Sequence, residues 1–250
     1  MLSPPQIERY SRQIILRDFG GRGQDRLLSA AVAVIGTGDM SRTACVYLAA
    51  AGIGRLTVVD TECRAGAELG GIQSKTAAPA ERCGAQAIAV WVGSLNPECR
   101  IVSCVGSLTA ESMDRIVADH DIAITADAPA AICTLTSARC VARHRTFVWG
   151  IAAAFTGEIA SFRGHRPESP CYACLPGGAS GPPAAGWPPT AVAIGTMLAC
   201  EVINRIVDVG EAVDGCRWTY DALSMDCREE RLYKDPCCAV CSEMRIVEKD

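Results

Sequence analysis

The sequence predicts an α/β fold built on a doubly wound, mainly parallel sheet that is completed by an antiparallel C-terminal section. Apolar strands alternate with helical patterns between residues 31 and 150, which is the order that a parallel sheet requires. A glycine turn, Gly36-Thr37-Gly38, joins the first of these strands to a helix. After residue 150, hairpin-like strands replace the alternation and predict the antiparallel section.

The individual elements follow from the spacing of apolar residues, which recur every three or four positions in helices and form short runs in strands. Helices are predicted over residues 6–17, 24–29, 42–51, 81–95, 110–119, 130–143 and 190–207. Strands are predicted over residues 31–35, 55–60, 100–105, 122–125, 146–150, 157–162, 216–220 and 230–233. We expect one domain over residues 1–250, divided into N-terminal helices (1–30), a nucleotide-binding half (31–150) and the antiparallel section (151–250).

The glycine turn is part of a pattern that is typical of nucleotide sites. Gly52 is placed to cap the helix that follows the turn. The next strand ends in Asp60, about 20 residues beyond the glycines, where a dinucleotide fold places its ribose-binding acid. This Rossmann-like framework predicts a nucleotide pocket that includes Gly36, Gly38 and Asp60.

Composition excludes several classes of protein. Of 250 residues, 49% are hydrophobic, which is ample for a large core and argues against disorder. The net charge of −4, without a stripe of Lys and Arg, argues against a nucleic-acid surface. The chain shows neither a signal-type N-terminus nor an uninterrupted apolar run of about 18 residues, so we expect a cytoplasmic protein that binds no membrane.

The 15 cysteines are expected to be reduced thiols or metal ligands, because no export signal is evident. Two Cys-x-x-Cys pairs, Cys171 with Cys174 and Cys238 with Cys241, could together form a closed, structural zinc site, with Cys237 as a spare ligand. The long separation of the pairs leaves open that they are accidental. Core positions are expected for Cys45, Cys133, Cys140 and Cys200.

Several segments together resemble the ThiF/MoeB/HesA family, over nearly the whole chain. They include Arg9-Tyr-Ser-Arg-Gln-Ile-Ile-Leu16, Tyr47-Leu-Ala-Ala-Ala-Gly-Ile-Gly54, Val58-Val-Asp60, Asn96-Pro97, Gly157-Glu-Ile-Ala-Ser-Phe162, Tyr220-Asp-Ala222, Asp235-Pro236 and both cysteine pairs. Members of this family, which is related to the ubiquitin-activating enzymes, use Mg-ATP to adenylate the C-terminal carboxylate of a small ubiquitin-like carrier, often before sulfur transfer. The resemblance implies structural zinc on the four cysteines.

The resemblance also assigns site residues, and some of them depart from the family pattern. Gly36 and Gly38 match the first two loop glycines, whereas Asp39 and Ser41 replace later ones, where an acid would repel phosphate and a side chain would obstruct it. Asp60 matches the ribose-binding acid, and Glu62 stands in for the next acid.

The cations of the family are also altered. Glu68, Gly71 and Cys83 stand where the family has Asn, Arg and Lys, which predicts impaired adenylation unless Arg82, Lys75 or a partner chain restores the charge.

Two further residues match functional positions of the family. Arg12 matches a basic residue that reaches into the nucleotide site of the partner subunit, which implies a symmetric homodimer. The alternative is a surface arginine on a helix. Asp127 matches a metal-linked aspartate at the end of a strand, and the alternative is an exposed acid in the turn before Pro129.

Three functions stay open at this point. The first is carrier-protein activation or sulfur incorporation with impaired or altered adenylation. The second is a catalytically inactive pseudoenzyme that binds a carrier protein or pairs with an active paralogue. The third is an NAD-dependent oxidoreductase, which rests on Gly36, Gly38 and Asp60 alone. The three histidines are expected at the surface, and Cys83 is an off-pattern candidate nucleophile without an evident base.

Overall fold

A computed structural model describes residues 2–61, 84–126, 128–176, 187–210 and 214–242. Its helices are α1 (Pro4–Ile14), α2 (Gly20–Ser29), α3 (Asp39–Ala51), α4 (Gly84–Leu95), α5 (Ala110–Ala118), α6 (Ala130–Ala142) and α7 (Pro188–Val207), with a short 3-10 turn at Tyr172–Cys174. Its strands are β1 (Ala31–Ile35), β2 (Arg55–Asp60), β3 (Arg100–Val105), β4 (Ile122–Ala126), β5 (Thr146–Ala153), β6 (Thr156–Phe162), β7 (Cys216–Asp221) and β8 (Asp226–Arg231).

The strands form one mixed sheet in the order β3-β2-β1-β4-β5-β6-β7-β8. The first five are parallel, and β6, β7 and β8 continue the sheet as antiparallel neighbours. Strand order reverses between β1 and β4, so the carboxyl ends of these two strands border the crevice in which such sheets bind ligands. The predicted fold class is therefore confirmed.

Apolar side chains cover both faces of the sheet. One cluster lies beneath α3 and α7 and includes Val34, Leu48 and Leu198, while the other lies beneath α5 and α6 and includes Ile35 and Phe147. Neighbouring residues of β1 enter opposite clusters because strand side chains alternate between faces. Every residue of β1 is accordingly buried.

Helix α7 packs directly on α3. A Cβ atom added at Gly195 would lie 2.5 Å from the Met40 carbonyl oxygen, so glycine permits a close approach of the two backbones. With 20 residues and a mean hydropathy of 1.5, α7 is long and apolar enough to cross a membrane by these criteria alone. Half of its apolar window is buried inside the protein, as in a core helix.

The observed bounds differ from the predicted ones mainly at the ends of the chain. Helix α1 begins earlier than predicted because Ser3 caps its amino end. Ser3 and Gln6 form a reciprocal capping box, and the two prolines between them suit the first helical positions. The strand predicted over residues 230–233 lies instead at Asp226–Arg231. All six residues of this edge strand are exposed and most are charged, so it carries no apolar signal.

Two expectations about burial are wrong. His120 is 5% exposed, and its ring nitrogens lie 2.6 Å from the Ile116 carbonyl oxygen and 2.7 Å from the Thr57 hydroxyl. These two partners replace water, and therefore a polar ring can sit in the interior. Cys200 is exposed on α7, whereas the other three expected core thiols are buried.

Candidate functional site

The glycine turn lies at the carboxyl end of β1. Gly36 has a φ of 123°, which side chains rarely adopt, and a Cβ there would lie 2.1 Å from the Ala126 carbonyl oxygen. Gly38 is the N-cap of α3, and no side chain caps the amino end of that helix. The backbone amides and the helix dipole at this end favour an anion such as phosphate.

Asp60 lies beside this turn as the last residue of β2. Its side chain is buried, at 5% exposure, and the Gly36 amide donates to the carbonyl oxygen of the preceding residue, Val59, over 3.0 Å. Helix α4 also meets the turn, since a Cβ at Gly84 would lie 2.7 Å from Thr37. The structure therefore brings Gly36, Gly38 and Asp60 together at one edge of the sheet.

Ser41 does not obstruct this edge in the way that the sequence suggested. Its side chain is fully buried, and its hydroxyl donates to the Ala126 carbonyl oxygen over 3.1 Å. The hydroxyl thus faces β4, so serine replaces a glycine while tying α3 to the neighbouring strand.

Asp39 forms an ion pair that sequence reasoning missed. Arg42 lies one turn later on α3, and its Nη1 is 3.5 Å from Asp39 Oδ1, with side-chain exposures of 6% and 17%. Burial raises the pKa of Asp39 and lowers the pKa of Arg42. The i,i+3 spacing of an acid and a base was the available signal. The Asp39 carboxylate is therefore not an uncompensated negative charge.

Other predicted residues of this site lie outside the described residues. They are Glu62 and Asp127, together with Glu68, Gly71, Lys75, Arg82 and Cys83. Asp127 directly follows β4, whose last carbonyl oxygen contacts Ser41. The role that the resemblance assigns to Asp127 stays a prediction.

Arg12 is exposed on α1, at the opposite end of α3 from the glycine turn. The Gln13 side chain donates to the Ala51 carbonyl oxygen over 2.6 Å, which fixes α1 at the carboxyl end of α3. At 1.5 Å per residue, this end lies about 20 Å from Gly38. Arg12 is therefore too far to contact the glycine turn of its own chain.

The four paired cysteines converge at a second place. The Sγ atoms of Cys171, Cys174, Cys238 and Cys241 all lie within 4.8 Å of one another. The separations are 3.9 Å for Cys171–Cys174 and 3.6 Å for both Cys171–Cys238 and Cys174–Cys241. Tetrahedral ligands at a metal–sulfur distance of about 2.3 Å would be about 3.8 Å apart, so the cluster could hold a metal ion.

The surroundings of this cluster suit metal binding. The Asp235 amide donates to Cys174 Sγ over 3.5 Å, which stabilises negative charge on that sulfur. The hydrogen bond between the two sulfurs raises the pKa of Cys171 and lowers the pKa of Cys174. Cys237 is exposed and stands outside the four-sulfur cluster, so it is not needed to complete it.

Comparisons with known proteins agree with this geometry. The ThiF family profile matches residues 10–240. The SAMP-activating enzyme E1 of Haloferax volcanii is 31% identical over 252 residues, covering 97% of this chain and 91% of that protein. The molybdopterin-synthase adenylyltransferase of Escherichia coli is 29% identical over 250 residues, covering 97% of this chain and 99% of that protein.

A solved structure shares the fold. The E. coli MccB structure with MccA-N7isoASN matches with a TM-score of 0.79 at 18% identity, covering 96% of this chain and 75% of that one. The resemblance inferred from the sequence motifs is confirmed by the family match. The chain belongs to the ThiF family.

Proposed function

We propose that this protein binds Mg-ATP at the carboxyl edge of β1 and β2 and adenylates the C-terminal carboxylate of a small ubiquitin-like or sulfur-carrier protein. The observation that carries the proposal is the convergence of Gly36, the uncapped amino end of α3 and buried Asp60 at the switch point of the sheet. The relatives named as a SAMP-activating enzyme and as adenylyltransferases support the choice of reaction.

The reaction requires in-line displacement at phosphorus. A carboxylate oxygen of the carrier attacks the α-phosphorus of ATP, the bond to the bridging oxygen of the β-phosphate breaks, and pyrophosphate leaves. The amides at the start of α3 bind phosphate oxygens, and Asp60 accepts hydrogen bonds from ribose. We assign Asp127 to the Mg²⁺ that accompanies ATP, where the ion would offset phosphate charge.

Two cations are candidates for stabilising the developing charge. Arg42 lies on the first turn of α3, and helix side chains lean toward the amino end, which directs it to the phosphate side of the helix. Arg12 can act only on a second subunit, which favours a symmetric homodimer. Arg42 and Arg12 would together supply the positive charge that the family has at the positions of Gly71 and Cys83.

We further propose that the four-cysteine cluster holds one structural Zn²⁺ per chain. Four cysteine sulfurs in a closed arrangement, three of them from buried residues, are the preferred ligand set of structural zinc, with no open position for a substrate. The role of the metal is then to stabilise the antiparallel half of the protein.

The second candidate is a pseudoenzyme that binds a carrier protein or an active paralogue. Asp39 favours it, because a carboxylate beside the amino end of α3 competes with phosphate for the same amides and for Arg42. An intermediate outcome is an enzyme whose adenylation is slowed.

Calorimetric titration of the zinc-loaded protein with Mg-ATP tests the proposal. We expect saturable binding that is lost in Asp60→Ala and retained in Asp114→Asn, a control that removes an acid from an ion pair with Arg143 on distant helices. Pyrophosphate release with a carrier protein then separates the two candidates. Absence of ATP binding by the unchanged protein would contradict the enzymatic proposal and favour the pseudoenzyme.

A further inference from the structure

A cavity opens at the other end of the sheet from the glycine turn. It has a volume of about 530 Å³ and lies between α2, the end of α7 and the amino ends of β4 and β5. Three arginines line it, namely Arg26, Arg163 and Arg205, with Asp121 as the one acid among the described lining residues. We call it the arginine cavity.

The arginines are held in place by acids behind the cavity wall. Arg205 is 7% exposed and donates from Nε to Glu201 over 2.6 Å, and its Nη1 lies 2.6 Å from Asp214 Oδ1. Asp214 also pairs with Arg163. One carboxylate is thus shared by two guanidinium groups, which fixes both of them without using all of their donors.

Some of these donors have no partner among the described residues. Arg205 Nη2 and Arg163 Nε are both buried and make no hydrogen bond in the described part of the chain. Burial, followed by the charge of Arg205, lowers the pKa of Arg163 to about 10. An anion in the cavity could accept these remaining hydrogen bonds.

The acid in the lining, Asp121, is held by groups other than Arg163 and Arg205. Asp121 accepts from the Ala31 amide over 2.9 Å and lies 3.7 Å from Arg145, so its carboxylate is already engaged. We infer that the arginine cavity binds a small phosphorylated molecule, with its phosphate between Arg163 and Arg205. Paired guanidinium groups match phosphate oxygens, and the volume is within the usual range for small-molecule sites.

Ser29 allows the inference to be tested without disturbing the buried ion pairs. It is exposed at the end of α2, lines the cavity, and its hydroxyl donates only to the helix carbonyl of Asp25. We expect Ser29→Glu to weaken binding of inorganic phosphate or glycerol 3-phosphate about threefold to fivefold, and Ser29→Lys to strengthen it similarly. Both effects should shrink at high salt.

Ser94 provides the matched control. It is an exposed serine near the end of α4, with its hydroxyl on the Trp91 carbonyl oxygen, and it does not line the cavity. Its Glu and Lys variants should leave phosphate affinity unchanged, and all four variants should bind Mg-ATP like the unchanged protein.

The bound position can be located by NMR. The side-chain Nε–H signal of Arg163, assigned through its absence in Arg163→Gln, should shift on addition of phosphate. Either no measurable phosphate binding, or binding that neither shifts this signal nor responds to the Ser29 variants, would overturn the inference. The second outcome would place phosphate elsewhere, for example at the glycine turn.

Discussion

At the scale of single residues, Asp39 and Arg42 set the local charge at the amino end of α3, where we propose that phosphate binds. Their ion pair keeps a carboxylate beside the amino end of α3 and holds the guanidinium close to it. The resemblance to the family suggested Asp39 as a departure from its loop pattern. Only the structure shows that a nearby cation compensates its charge.

Replacing Asp39 by glycine should raise the affinity for Mg-ATP about fivefold to tenfold. The change removes a repulsive charge and releases Arg42 to contact phosphate. Calorimetric titration measures the gain. Combining the change with Arg42→Met should abolish most of it, and a gain of equal size in the double variant would exclude a role for Arg42.

His120 should make the protein less stable in mild acid. Burial lowers the pKa of His120 in the folded state below its ordinary value near 6.5. The unfolded chain therefore binds a proton more readily, so the stability that neutral His120 contributes is present above about pH 6.5 and declines as the pH falls below it.

Urea unfolding at a series of pH values checks this expectation. His120→Asn should flatten the decline below about pH 6.5. An unchanged pH dependence in His120→Asn would assign the acid sensitivity to other groups.

At the scale of elements, the sequence predicts the order and type of the helices and strands well. Strands β1 and β4 are recognisable because they are short, apolar and buried throughout. Strand β8 is not, because an exposed edge strand has no need of apolar residues. Spacing alone also could not show that the two Cys-x-x-Cys pairs come together, since Cys171 and Cys238 are 67 positions apart.

The contact between α3 and α7 depends on glycine at position 195. Gly195→Ala should lower the free energy of unfolding by about 1–3 kcal/mol, because its methyl group meets the Met40 backbone at 2.5 Å. Gly93→Ala is a matched control inside α4, where the nearest atom is 3.9 Å away. Gly93→Ala should raise the free energy of unfolding by about 0.5–1 kcal/mol. Chemical denaturation measures both variants, and equal effects at the two sites would contradict the packing argument.

The cysteine cluster gives a second prediction at this scale. Cys174→Ser should reduce bound zinc to well below one ion per chain and lower the melting temperature by several degrees, because one of four ligands is lost. Cys237→Ser should retain both properties, since Cys237 is exposed beside the cluster. Elemental analysis and thermal unfolding provide the measurements, and full zinc content in Cys174→Ser would rule out the proposed ligand set.

At the scale of the whole molecule, the proposed role of Arg12 requires two chains for a complete active site. If so, Arg12→Ala and Asp60→Ala should each be inactive in pyrophosphate release. Mixed and allowed to exchange subunits, they should recover about one quarter of the original activity. Half of the dimers are then hybrids, and each hybrid has one intact site.

Size-exclusion chromatography before and after mixing provides the control for dimer formation. Two copies of the same variant should never complement each other. Full activity of Arg12→Ala alone would show instead that Arg12 is a surface residue of α1, which is the alternative that the sequence left open.

A metal ion bound by the four cysteines would close the chain into a ring. A metal that joins residues 67 positions apart restricts the unfolded chain, and by analogy with a disulfide this entropic effect is worth about 4 kcal/mol. The ring contains α7, and α7 supports the helix that follows the glycine turn. Loss of the proposed metal would then make local opening of α7 more frequent and would loosen the glycine turn, although none of the four sulfurs lies at that turn.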